Sequence, residues 1–248
     1  MPLRSYKTRA SFLAVFLIVF VFSVCGSASA DISVNYISSI AVNGSPVRLA
    51  TDRAGIIYVT APATGQVFKF YRDGSPAGVI TASQKPLSVA VDSAGKVFVG
   101  DSIERGVRVL GPDGQTLYSL GRGKNEFGMR GDIAVLSSGL VYVTDCTSNV
   151  VKIYNPDGSR KSSFGGAGSN PGQMIFPAGI CLDEANHEVY VVDQTNGRVE
   201  VFDLNGNFKR SFGSLGSGDG QLTRGQGIHV ATGKVYVSDA FLSTVEVL

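Results

Sequence analysis

FPAGICLDEANHEVYVVDQTNGRVEVFDLNGNFKRSFG, residues 176–213, decides the fold. Four short apolar runs sit in it: GICLD, VYVVD after a polar turn, RVEVFD after QTNG, and FKRSFG after LNGN. Runs of four to six residues rich in Val, Ile, Tyr and Phe, broken by Asn-Gly and Asp-Gly pairs, read as antiparallel strands joined by tight hairpins. A single four-stranded sheet leaves a face uncovered, so it needs neighbours built like itself.

The chain supplies them. The run that closes the second strand recurs, ending at Ala61, Asp101, Asp145, Asp193 and Asp239, at intervals of 40, 44, 48 and 46 residues. A period in the forties with four strands per unit marks propeller blades rather than a helical solenoid. Other columns keep step: Leu49, Val89, Ile133, Ile180 and Ile228 in the innermost strand, and Asp73-Gly74, Asp113-Gly114, Asp157-Gly158 and Asn205-Gly206 at the third hairpin. No helix-period segment of useful length follows residue 30. The expectation is one all-β domain, a propeller of four-stranded antiparallel blades over residues 31–248.

Residues 1–30 stand apart. Arg4, Lys7 and Arg9 precede an apolar run, and Ala28-Ser29-Ala30 offers small residues before Asp31, the layout of a secretory signal cleaved near Ala30. Left uncleaved, the segment would be the chain's only hold on a membrane. Its removal leaves 218 residues carrying 19 basic and 20 acidic side chains, so no basic footprint for nucleic acid remains. Cys146 and Cys181 also remain, and their place in or beside strands favours two buried free thiols over a disulfide. The destination is secreted or periplasmic.

The units resemble NHL repeats of the secreted, bacterial type. The pattern P-x-G-I…D…V-Y-V-x-D…N-x-R-V-x-V-F-D…G-x-F…F-G is nearly complete in 177–213 and partial elsewhere. The resemblance implies a β-propeller used mainly as a binding or scaffolding platform, with a minority of enzymes. Its peptide-amidating lyases use a metal site of several histidines, and this chain offers only His187 and His229. Five blades of about 44 residues fit the observed period. The fifth unit stops after its third strand, TVEVL, and residues 35–42 (NYISSIAV) read as a lone outer strand able to close the ring beside it. The alternative is a six-bladed ring of which this chain holds part.

Antiparallel order brings the start of each first strand and the end of each second strand to one rim. That rim gathers Asp101, Asp145, Asp193 and Asp239, read as structural turn residues whose carboxylates accept backbone N–H groups. Arg48, Lys85, Arg130 and Arg224 precede the first strands, with Phe127 and Phe176 nearby. Basic side chains around an opening suit a carboxylate, phosphate or acidic peptide. His229, in the column of Ala50, Ala90, Ala134 and Cys181, completes the candidate set and needs a hydrogen-bond partner where sheets approach closely. No nucleophile elbow is present, and no Gly-rich run opens a helix that would point N–H groups at a phosphate. The sequence therefore favours a non-catalytic platform for a protein, a peptide or another envelope component, without cofactor. The alternative is a lyase or lactonase with a divalent metal in the channel near Asp145, Asp193 and His229.

Overall fold

The structure, a computed structural model, describes residues 39–248 except 82, 122–125 and 129, with only the backbone of Arg130. The signal segment and its cleavage point lie outside the described residues.

Five antiparallel sheets follow one another along the chain. Blade 1 comprises β1 (Leu49–Thr51), β2 (Ile57–Ala61), β3 (Gln66–Phe70) and β4 (Pro76–Ile80). Blade 2 comprises β5 (Pro86–Val91), β6 (Val97–Asp101), β7 (Gly106–Leu110) and β8 (Thr116–Leu120). Blade 3 comprises β9 (Arg130–Val135), β10 (Val141–Asp145), β11 (Val150–Tyr154) and β12 (Arg160–Gly165), and blade 4 comprises β13 (Pro177–Asp183), β14 (Glu188–Asp193), β15 (Arg198–Asp203) and β16 (Phe208–Phe212). A short parallel pair, β17 (Ser214–Leu215) and β18 (Gln221–Leu222), leads into blade 5: β19 (Gly225–Ala231), β20 (Lys234–Asp239) and β21 (Thr244–Val247). Within each blade the strands pair in sequence order. The described residues form an all-β, five-bladed propeller.

The alternation of each strand explains the packing. Side chains facing forward meet those facing back from the next blade, so the core is a series of seams. Tyr58, Val67 and Ile80 of blade 1 pack on Val89, Val97 and Val99 of blade 2. Phe98, Val107 and Val109 meet Ile133, Val141 and Val143. Tyr142, Val151 and Ile153 meet Ile180, Val189 and Phe202. Tyr190, Val199 and Val201 meet Leu222, Val235 and Val237. Each fully buried side chain of this kind contributes roughly 1.5–3 kcal/mol, so the seams carry the fold's stability.

The expected clasp between residues 35–42 and the last strand is not made by its described part. Among the described residues β21 has no fourth strand beside it. Ile40 and Val42 instead pack on Ile57, Val59 and Phe70 of blade 1; residues 35–38 lie outside the described residues. The reason is the apolar rear face of blade 1, which residues 40–42 cover directly. The innermost strands pack in sequence from β1 to β19. Blade 1 reaches blade 5 through Arg48, whose Nη2 donates to the Gln226 carbonyl at 3.3 Å.

Candidate functional site

The register places the expected rim. Pro86 pairs with Asp101, Arg130 with Asp145, Pro177 with Asp193 and Gly225 with Asp239, so the beginnings of first strands and the ends of second strands share one edge. In blade 1, where Ala61 takes the Asp station, Thr60 holds that edge by accepting at Oγ1 from the Arg48 N–H at 3.0 Å.

The four Asp side chains are buried and filled with donors. Asp101 accepts from the N–H groups of Gln84, Lys85, Ile103 and Glu104 at 2.6–2.9 Å, and from the Ser83 hydroxyl. Burial pushes its carboxyl up, but those donors more than offset it and hold it at about 2. Asp239 accepts from the N–H groups of Thr223, Arg224, Phe241 and Leu242 in the same way. Asp145 accepts from three backbone N–H groups, Ser148 Oγ and Lys152 Nζ, and Asp193 from the Ile175 N–H, Asn196 and Arg198. Each Asp therefore ties the incoming connection to the following hairpin. Among the described residues no group of three His, Cys, Asp or Glu side chains is placed to share one metal ion.

Two buried charges absent from the sequence reading complete this clamp. Lys152 on β11 pairs with Asp145 at 2.7 Å, bonds the Glu126 carbonyl and lies 4.8 Å from the centre of the Phe127 ring. At the same station of blade 4, Glu200 accepts from the Gly172 N–H at 3.1 Å and pairs with Arg198 at 2.8 Å. Both hold a Gly-rich connection down on the blade. That corrects the expectation for Phe127, which is 1% exposed and packs on Tyr154 rather than facing a ligand.

The remaining candidates divide. Lys85 and Arg224 are exposed at the rim. Phe176 is half-buried, has φ of 60°, and donates its N–H to Asn149 Oδ1 at 2.8 Å. The backbone of Arg130 starts β9; its side chain lies outside the described residues. His229 is exposed on the forward face of blade 5, away from the rim, because among the described residues no sheet packs over it as blades pack over its column mates Ala90 and Cys181. Cys146 is buried and Cys181 half-buried, both free thiols.

Arg48 reaches furthest. Its Nε stands 3.7 Å from Asp132 of blade 3, and its Nη groups reach the carbonyls of Gln226 and Val47 at 3.3 and 3.5 Å. The buried Nε itself has no hydrogen-bond acceptor. Asp132 pays for its position: burial pushes its carboxyl above the ordinary range despite Arg48 beside it. Asp132 was not legible as a site residue, since an Asp two residues into a strand matches no repeated column. At the opposite rim, a cleft of about 380 Å³ between blades 4 and 5 is lined by Asp183, Glu188, Tyr190, Lys209 and Arg210. Lys209 and Arg210 are taken up by Glu188, with Arg210 gripping both Glu188 oxygens at 2.6 and 2.8 Å.

These features define a β-propeller with exposed basic residues on one rim and a cross-brace from Arg48 of blade 1 to Asp132 of blade 3. Residues 123–213 match the DUF5128 family, described as a 6-bladed beta-propeller. The chain is similar to a structure from the nidogen/laminin complex, at 19% identity and TM-score 0.67 over 82% of this chain and 75% of that one. It is similar to virginiamycin B lyase from Staphylococcus aureus, at 12% identity and TM-score 0.63 over 85% and 73%. A protein of unknown function from Bacteroides thetaiotaomicron aligns at 15% identity and TM-score 0.67 over 85% and 61%. At these identities the likeness is one of fold. No curated protein matches the sequence.

Proposed function

We propose that the protein is an exported NHL-type recognition platform whose strand-start rim holds an acidic, carboxylate-bearing segment of a peptide or protein partner. The observation that carries this is an imbalance of available charge: Lys85 and Arg224 stand exposed at the rim. The acidic column on the same rim has its oxygens occupied by turn N–H groups. The rim therefore offers donors and few free acceptors, a field that draws anionic groups.

Recognition rather than bond-making is the reading, because Asp145 and Asp193, the carboxylates nearest the channel in the lyase alternative, are committed to holding connections. A synthetic hexaglutamate peptide is the probe, followed by fluorescence anisotropy. The wild-type protein should bind it in a salt-sensitive manner. The Lys85→Ala/Arg224→Ala double variant should lose at least tenfold in affinity with an unchanged melting temperature. No binding by the wild type, or equal binding by the variant, would sink the proposal.

A further inference from the structure

Ile103 and Phe241 each stand two residues past a rim aspartate, Asp101 and Asp239, whose Oδ1 atoms accept their N–H groups at 2.7 and 2.9 Å. Ile103 is 58% exposed and Phe241 71%. Leu215, 60% exposed, lies on the same rim. A β-carbon on Gly197, in the second hairpin of blade 4, would come 2.4 Å from the Leu215 Cα. Among the described residues these are the three most exposed large apolar side chains, and loops of one rim carry all three.

Their exposure belongs to the station and not to a missing neighbour. The residues in step with Ile103 and Phe241 are Ala63, Thr147 and Thr195, and all three are exposed. Leu215 is in step with Ala167, which is exposed too; both connections fold by the same parallel pairing, Ala167 with Met174 and Leu215 with Leu222. Three loops therefore carry a large apolar residue where sister loops, equally open, carry Ala or Thr. Blade assembly does not require it, since the sister blades form without it. Single exposed apolar residues are ordinary; these share a rim and have basic neighbours. The Ser102 N–H donates to the Lys85 carbonyl at 3.2 Å, and the Ala240 N–H to the Arg224 carbonyl at 3.0 Å, each one residue before its apolar tip. In blade 4, where the tip is Thr195, the residue in step with Lys85 and Arg224 is Phe176. The basic side chain thus accompanies the apolar tip.

We propose that these couples set the sequence the rim selects: the partner segment carries large apolar side chains next to its carboxylates. The inference rests on the reading of the rim as a holder of acidic segments, and adds the second half of the recognition chemistry. Carboxylates meet Lys85 and Arg224, and apolar side chains meet Ile103, Leu215 and Phe241. Charge on the rim favours a polypeptide over a lipid surface. Asp219 is exposed on the connection that carries Leu215, so inserting that loop into an anionic bilayer would press a like charge against the headgroups. A polypeptide can pass Asp219 with an uncharged residue. The aspartates already fix the backbone of two tips, so engaging them costs little ordering entropy.

Two fluorescent hexapeptides of equal charge, EEFEEF and EESEES, are the probes. The wild-type protein should bind the first at least tenfold more tightly. The triple variant Ile103→Thr/Leu215→Ala/Phe241→Thr gives each station a residue of a sister loop, so its melting temperature should not change. It should bind both peptides alike, and EESEES as tightly as the wild type does. Equal affinity of the wild type for the two peptides, or a preference that survives in the triple variant, would overturn this inference and leave the acidic-segment reading standing. Failure of both peptides to bind would overturn both. Two further outcomes would overturn this inference alone, each if lost in the triple variant: cosedimentation with phosphatidylglycerol vesicles (a lipid surface) and self-association (a second copy).

Discussion

Arg48 on the first blade and Asp132 on the third stand 3.7 Å apart, joining blades that share no seam. Both side chains are only 14% exposed, so neither charge can be left alone cheaply. Arg48→Met should cost about 3 kcal/mol at neutral pH, because an unpaired Asp132 carboxylate would remain buried. Asp132 already has a folded-state pKa above its unfolded value. Such a group costs stability as pH climbs from the unfolded value through the folded one. The deficit of the variant should therefore shrink as pH falls and vanish below about pH 4, where Asp132 is protonated in both states. Arg48→Met/Asp132→Asn should recover much of the loss. Urea unfolding at pH 7 and pH 4 measures this; a pH-independent deficit would show that Arg48 acts by packing alone.

Asp101 gives the opposite pH dependence. Its folded-state pKa of about 2 lies below the unfolded value, so its contribution is present above the unfolded pKa and lost as pH falls through the folded one. A depression of nearly two units corresponds to about 2.5 kcal/mol. Asp101→Asn should lose about that much at pH 7, since one amide oxygen replaces a charged acceptor shared by five donors. The gap between variant and wild type should close between pH 4 and pH 2.

How far the chain could be read follows from which forces are local. Strand limits, the Asp-Gly hairpins and the shared rim come from alternation and turn chemistry, which act within a few residues, and β13 to β16 fall where the quoted stretch places them. The burial of Lys152 and Glu200 is imposed by connections that fold back over the blade, which no pattern within their own strands records. Phe127 is buried for the same reason, clamped beneath Lys152 and Tyr154. The path of residues 40–42 depended on a choice between two apolar surfaces, one on each side of the seam, that no local pattern distinguishes.

The two thiols should be inert in the folded protein. Burial pushes Cys146 up to about 12, with Asp145 adding to it, and Cys181 up to about 11. The thiolate is the reactive species, so at pH 8 neither should react with an aromatic disulfide reagent within the time in which a free thiol is exhausted. Both should react at once in guanidinium. Rapid labelling of native Cys146 would mean that blades 3 and 4 separate readily, since its Sγ donates to the Pro177 carbonyl at 3.0 Å.

Three glycines on innermost strands compare the contacts between neighbouring blades through packing alone. A β-carbon on Gly131 would lie 2.4 Å from the Ala178 carbonyl oxygen of the next blade, and one on Gly179 would lie 2.4 Å from that of Gln226. Backbone cannot yield as a side-chain tip can, so Gly131→Ala and Gly179→Ala should each cost about 1–3 kcal/mol by forcing neighbouring blades apart. Gly227 holds the corresponding place on blade 5, yet its β-carbon would meet only Ser238 Oγ, at 3.1 Å. None of the three has a left-handed backbone, so the comparison isolates what stands across each seam. Gly227→Ala should change stability by no more than about 0.5 kcal/mol, as substitutions away from packed features do. Thermal and urea melts of the three variants decide the matter. A loss at Gly227 as large as at Gly131 would mean that further polypeptide packs against the inner strand of blade 5.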